Sequence, residues 1–380
     1  MIRTAADIIE CCRYLATFTE EPGRTTRTFL SPPMRQVHEF LSEDMRAAGL
    51  DVFIDNVGNI FGRSPKNTRP RILIGSHLDT VPDAGAFDGI LGVVMGIALA
   101  HRHPIDVIGF SEEEGVRFGI PFIGSRAYIG TLDLTSEISQ AIRDYGLNPS
   151  SLPKYEPHDV YLEFHIEQGP LLESLNLPLA VVTAIISQRR VQLVFQGKAN
   201  HAGTTPMSLR ADALAAAAEW ICIVERTAKE CKGLVATVGR VQVEPNAGNV
   251  IPGKVALSLD VRHASDSIGE EATAKLLQCA RQIAERRGVQ TQIESLFSQP
   301  TVSMDEKLVA TLTEVVGHQM TSGAGHDAMI VAERVPSAMM FLRSPGGISH
   351  HSDESVFVED VAAALEVGSR AIQLLRESYA

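Results

Sequence analysis

The stretch Arg71–Gly119, RILIGSHLDTVPDAGAFDGILGVVMGIALAHRHPIDVIGFSEEEGVRFG, decides how the chain folds. It holds two short apolar runs, Ile72–Ile74 and Val107–Phe110, separated by an apolar, glycine-rich segment of helical length, Ile90–Ala100. Runs that are apolar throughout, rather than alternating, are those of strands buried on both faces of an α/β sheet. Ionisable residues follow each run: His77-Leu78-Asp79 after the first and Glu112-Glu113-Glu114 after the second. Asp88 stands eleven residues after His77, at the start of the intervening helix. Ligands of α/β sheets sit in the crevice beyond the carboxyl ends of the strands, which is where this order puts the polar groups. Three consecutive carboxylates repel one another unless solvent or a cation intervenes. A single His-x-Asp is more often a surface pair, and a Glu triplet more often a solvated face or helix start. On two successive strand ends the two together read as half of a metal site, with further ligands to come from elsewhere.

Composition bounds the rest. A chain of 380 residues is long enough for two domains with real cores. Its 34 Lys and Arg against 46 Asp and Glu give a formal charge of −12, which argues against nucleic acid or an anionic membrane as the main partner. The five cysteines are odd in number and form no CxxC pair, so neither a disulfide framework nor a thiolate zinc site is expected, and a reducing cytoplasm is the default. The opening MIRTAADIIECCRYL has the pattern of an amphipathic helix rather than a signal peptide. No apolar run approaches the roughly 18 residues of a membrane span.

Outward from the first stretch, Met34–Ala48 has helical spacing after Pro32 and Pro33, and Asp51–Phe61 reads as a hairpin turning at Gly58-Asn59. A short helix is expected at Gly124–Gly130, and Thr135–Asp159 reads as a polar surface excursion. In YLEFHIEQG, Tyr161–Gly169, Leu162, Phe164 and Ile166 share one strand face, and His165 lies on the other with Glu163 and Glu167. The pattern changes near Ser187. From there the order is strand (190–197), helix (Ser208–Glu230), two strands (Val235–Glu244 and Lys254–Arg262), helix (Ser267–Arg287) and strand (Gln290–Ser298). That is the β-α-β-β-α-β order of a ferredoxin-like sandwich, complete in itself and so readable as an insertion. The expected domains are residues 1–187 with 299–380, and 188–298. In the tail, a helix is expected over Met304–Gln319, a strand over Ser337–Leu342 and a closing helix over Glu359–Arg376, with His350 and His351 again just beyond a buried strand.

The segments IGSHLDTVPDAGAFDGILGV, FSEEEGVRFG, HIEQGPLLE, GKANHAGTTPM, NAGNVIPGKVALSLDVR, GAGHDA and GGISHHSDE together resemble the di-metal amidohydrolases that cleave ureido groups. These include the N-carbamoyl-L-amino-acid and allantoate amidohydrolases of the aminoacylase–carboxypeptidase superfamily. The resemblance runs from Leu41 to the last helix. It implies a mixed-sheet α/β catalytic domain with helices on both faces, plus an inserted ferredoxin-like α+β domain serving as lid and homodimer interface. It implies two divalent cations (Zn, Mn, Co or Ni) bridged by Asp88, one completed by His77 and His165 and the other by Glu114 and His350. Peptidase relatives usually carry a carboxylate at the position of His165.

By the same resemblance Asp79 orients His77, and Glu113 is the base that takes a proton from the attacking water and returns it to the leaving nitrogen. Glu112 is structural. His201 stabilises the tetrahedral intermediate, from its own chain or from a dimer partner; Arg262 grips the substrate carboxylate; Gln168 and Asn249 are polar substrate contacts. For Gln188, Arg189 and His326, substrate contact and a structural role both stand open, and His351 is a neighbour of the ligands or faces solvent. Ligands and base on one domain with carbonyl and carboxylate contacts on the other imply closure, with hinges at Ser187–Arg189 and Ser298–Val302. The expected substrate is a small ureido carboxylate, either allantoate or an N-carbamoyl amino acid, hydrolysed to ammonia and carbon dioxide. An aminoacylase or dipeptidase is the alternative enzyme, and a scaffold without catalysis the alternative class.

Overall fold

The computed structural model describes residues 3–66, 69–153 and 155–379. They form two compact units: the residues up to Thr183 with those from Ser303 onward, and Ala184–Val302.

The larger unit is built on a sheet of nine described strands. Four neighbouring strands at its centre, Asp106–Phe110, Ile72–His77, Val160–Ile166 and Ser337–Leu342, are parallel. Every residue in all four is buried, which is why the sequence shows continuous apolar runs there. The hairpin Asp51–Ile54 and Ile60–Arg63 extends one edge antiparallel, and Leu179–Ile185 pairs antiparallel on the other side. Helix Ile90–Ala100 is buried along its whole length, with Ala5–Ala16 and Val358–Tyr379 packed against it. Gly92 permits its approach: a Cβ there would stand 2.2 Å from the Phe164 carbonyl oxygen. The Phe164 ring lies under the closing helix near Gly368, whereas its neighbour Glu163 accepts the Ala328 N–H from helix Asp327–Val331. Because successive side chains of a strand alternate, these helices cover opposite faces.

Three expected spans differ from the structure. Thr135–Asp159 contains a helix, Ser136–Tyr145, capped by the Thr135 hydroxyl on the Ile138 N–H and ended by Gly146 at φ 92°. Helix Met304–Gln319 shortens to Glu306–Val316, because Asp305 caps its start, Gly317 ends it, and Gln319–Ser322 joins the sheet instead. In the smaller unit the helix begins at Ala213 rather than Ser208, where Asp212 caps Leu214 and Ala215.

The smaller unit is a four-stranded antiparallel sheet in the order Gln290–Gln299, Ser187–Gln196, Lys254–His263, Val235–Glu244. Helices Ala213–Glu230 and Asp266–Arg287 supply the other side of its core. In the central strand Val255, Leu257, Leu259 and Val261 enter that core, and Ala256, Ser258, Asp260 and Arg262 alternate onto the other face. This is the split βαβ arrangement.

Candidate metal centre

The parallel strands Ile72–His77 and Val160–Ile166 carry His77 and His165 at their carboxyl ends, and pairing of Ile74 with Leu162 puts the two in register. The imidazole nitrogens Nε2 face each other at 3.4 Å. His77 Nδ1 lies 3.0 Å from the Asp79 carbonyl oxygen, and His165 Nδ1 lies 2.9 Å from that of Ile166. A carbonyl can only accept, so each Nδ1 carries a proton, and in the neutral rings each Nε2 turns a lone pair inward. Asp88 Oδ1 joins them at 3.7 and 3.2 Å; it is buried and has no hydrogen-bond partner among the described residues. Buried lone pairs facing one another without a donor call for a cation.

The other oxygen of Asp88 faces a second set. Asp88 Oδ2 is 3.3 Å from His350 Nε2, which is also 3.3 Å from Glu114 Oε1. Gln168 Nε2 donates to the same Asp88 oxygen at 3.0 Å. His350 and Gln168 both hold left-handed backbone, at φ 54° and 58°. Non-glycine residues rarely adopt that conformation, and those that do cluster where side chains must be aimed at a site. His77, Asp88 and His165, and separately Asp88, Glu114 and His350, have ligand atoms close enough to hold an ion, as do His77, Glu113 and Glu114.

The electrostatics agree. Burial alone would lower His77, but the adjacent carboxylates of Asp79 and Asp88 raise it well above the ordinary imidazole value. Hydrogen bonds to Asp88 and Glu114 push His350 up to about 10. The cluster thus draws positive charge onto its own imidazoles, the charge that a cation supplies. Burial holds His165 at about 4, the neutral form that a metal ligand needs. Imidazole and carboxylate donors of this kind fit first-row divalent ions.

Around these five residues, Glu113 is buried, and burial together with the Glu114 charge raises its carboxyl well above the usual range. The Asp79 carboxylate approaches His77 only to 3.4 Å. Its short bonds go to the backbone N–H groups of Glu113 and Glu114, at 3.0 and 3.1 Å, so it holds the triplet's turn while its carbonyl orients the imidazole. Glu112 turns away and accepts the Phe29 N–H; burial pushes it up to about 9. His326 is buried behind His165, with ring centroids 4.4 Å apart, and bonds Ser322 Oγ. His351 is exposed and accepts the Asp353 N–H.

In the smaller unit, Val250 pairs with His201, and the Asn249 carbonyl accepts the Ala202 N–H, so Asn249 and the exposed His201 lie together. Arg262 is bound by Asp260, which also holds Gln188 and Arg190. Arg189 is buried on Ser187 and Glu270, a structural position.

Sequence reasoning missed three buried groups. Glu354 accepts the N–H groups of Phe87 and Asp88. Glu163 collects Ser76, Tyr161 and the Ala328 N–H beneath the ligands. Arg27, 1% exposed, binds the carbonyls of Leu78, Leu15 and Phe18. For Glu354 and Glu163 a signal existed, since one follows His350 by four residues and the other shares the face of His165.

Fold and cluster define a metal-dependent hydrolase with an inserted α+β unit. The chain belongs to peptidase family M20/M25/M40, which matches residues 73–374, and within it to the enzymes acting on non-peptide C–N bonds. It is 38% identical to the N-carbamoyl-L-amino acid amidohydrolase of Geobacillus stearothermophilus, covering 85% of this chain and 86% of that one. It is 36% identical to a probable allantoate deiminase of Oryza sativa subsp. japonica, covering 84% and 78%. A crystal structure of a hydantoinase/carbamoylase family amidase from Burkholderia multivorans superposes with a TM-score of 0.91 at 30% identity, over 98% of both chains. Among the described residues no helix is long and apolar enough to cross a membrane.

Proposed function

We propose that the protein hydrolyses the ureido C–N bond of a small carboxylate, an N-carbamoyl amino acid or allantoate, using two divalent cations. The observation that carries this reading is Asp88, whose two oxygens serve two separate ligand sets. His77 and His165 would hold one ion, Glu114 and His350 the other. Bound there, the ions polarise the carbonyl and make water acidic enough to attack at neutral pH. Glu113, buried beside both sets, takes the proton from water and hands it to the departing nitrogen. Ammonia leaves, and the carbamate left on the substrate loses carbon dioxide. Gln168, which donates to Asp88, is assigned to orienting the ureido group. His201 is assigned to the carbonyl oxygen, and Arg262 to the carboxylate, which its planar fork suits. An imidazole at 165, where peptidase relatives usually have a carboxylate, supports ureido over peptide substrates. A homodimer through the smaller unit and a cytoplasmic location belong to the same reading.

The test is ammonia release from allantoate and N-carbamoyl amino acids, with release of the free amino acid from an N-acetyl amino acid as the control, before and after chelation and re-addition of Zn, Mn, Co or Ni. Release from a ureido substrate, lost on chelation and restored by metal, is expected. Cleavage of the N-acetyl compound alone would sink the ureido assignment.

A further inference from the structure

We propose that Glu354 is the positioning residue that sets Asp88 between the two cation subsites; the proposal rests on the two-cation reading above. Glu354 is 5% exposed and reaches across 266 residues of sequence to the loop that carries Asp88. Its Oε1 accepts two backbone N–H groups, from Phe87 and Asp88, both at 3.0 Å. Its Oε2 accepts from Ser349 Oγ at 3.1 Å, and that hydroxyl lies 3.3 Å from Asp88 Oδ2.

The loop needs such an anchor. Helix Ile90–Ala100 has no side-chain cap, and its N-cap Gly89 sits at φ 69°. A Cβ at Gly89 would stand 2.4 Å from His77 Cε1, so no capping side chain fits there. The carboxylate of Glu354, from the far end of the chain, fixes the two preceding N–H groups instead. A bridging carboxylate must hold both oxygens to a fraction of an ångström, which requires a fixed backbone beneath it. Glu354 also lies on the segment that bears His350, so one side chain sets the bridge and the second subsite's imidazole against each other. Gly85 clears its path: a Cβ there would stand 2.3 Å from Glu354 Cβ and 2.5 Å from Oε1.

Position and charge make opposite predictions for two conservative variants. Glu354→Gln keeps the reach and an accepting oxygen but loses the charge; Glu354→Asp keeps the charge but is one methylene short. Metal-stripped proteins are titrated with cobalt(II), following absorbance and bound metal, with thermal unfolding of the metal-free forms as the control. Expected are two equivalents bound by the wild type and by Glu354→Gln. In Glu354→Asp and Gly85→Ala, affinity for at least one equivalent should fall about 10–100-fold, the usual cost of losing a ligand's support. Glu354→Ala should behave as Glu354→Asp; if it does not fold, the Gln and Asp pair decides. Wild-type affinity in Glu354→Asp, with or without loss in Glu354→Gln, overturns the proposal. A wild type that binds fewer than two equivalents overturns the two-cation reading itself, independently of the variants.

Discussion

Glu113 and Glu114 are adjacent carboxylates to which the proposed function assigns separate tasks, and Glu114 lies 3.3 Å from His350. Reading a base from one and a ligand from the other gives a prediction with two readouts. Glu113→Gln should retain both metals and lose roughly 10²–10⁴-fold in kcat, the usual size of general-base catalysis. Glu114→Gln should lose affinity for the cation that His350 shares. Parallel measurements of bound metal and ammonia release check both, and loss of metal in Glu113→Gln would reverse the roles. These candidates were legible in the sequence because each proposed ligand type sits just past an apolar run. Asp79 was legible only in part, because the sequence cannot show that its carboxylate goes to two backbone N–H groups instead of the imidazole. Glu354 and Arg27 were not read at all, since their partners are backbone atoms of segments distant in sequence.

Among the elements, the fully buried parallel strands and the alternating strand Lys254–His263 were readable from periodicity. Elements set by capping were displaced: Asp305 and Gly317 trim one helix, and Asp212 delays another, against apolar spacing that runs on. Helix Met34–Ala47 carries a titration that its sequence did not announce. His38 is buried, with Nε2 donating to the Gly58 carbonyl and Nδ1 accepting from the Tyr145 hydroxyl, so the neutral ring is fully satisfied. Burial lowers it from 6.5 to about 4. Above pH 6.5 neither the folded nor the unfolded chain protonates this ring, and its contribution is complete. Between pH 6.5 and about 4 the unfolded chain binds a proton that the folded one refuses, so stability falls with falling pH, by up to about 3 kcal/mol. Denaturant unfolding of metal-free protein at pH 7 and pH 4.5 should therefore show a smaller difference for His38→Gln than for wild type. Equal differences would mean that the ring titrates normally in the fold.

Across the whole molecule, all five proposed ligands belong to the larger unit, whereas the only tryptophan, Trp220, belongs to the smaller one. Trp220 is fully buried, donates to the Leu276 carbonyl and packs edge-on against Phe195, inside a core of Val191, Leu193, Leu257 and Leu259. That core is closed within Ala184–Val302, so tryptophan emission reports on the smaller unit alone. On the two-cation reading the ions bind only the folded larger unit, and each would stabilise it by about 2.7 kcal/mol at a hundredfold excess over its Kd. At about 2–4 °C per kcal/mol for a unit of this size, two ions shift its transition by about 10–20 °C. Chelation should lower the calorimetric transition by that order and leave the Trp220-detected transition where it was. The two signals are followed in parallel heating scans with and without chelator. A Trp220 transition that falls together with the other would show that the units unfold as one, with the ions stabilising the smaller core through the larger.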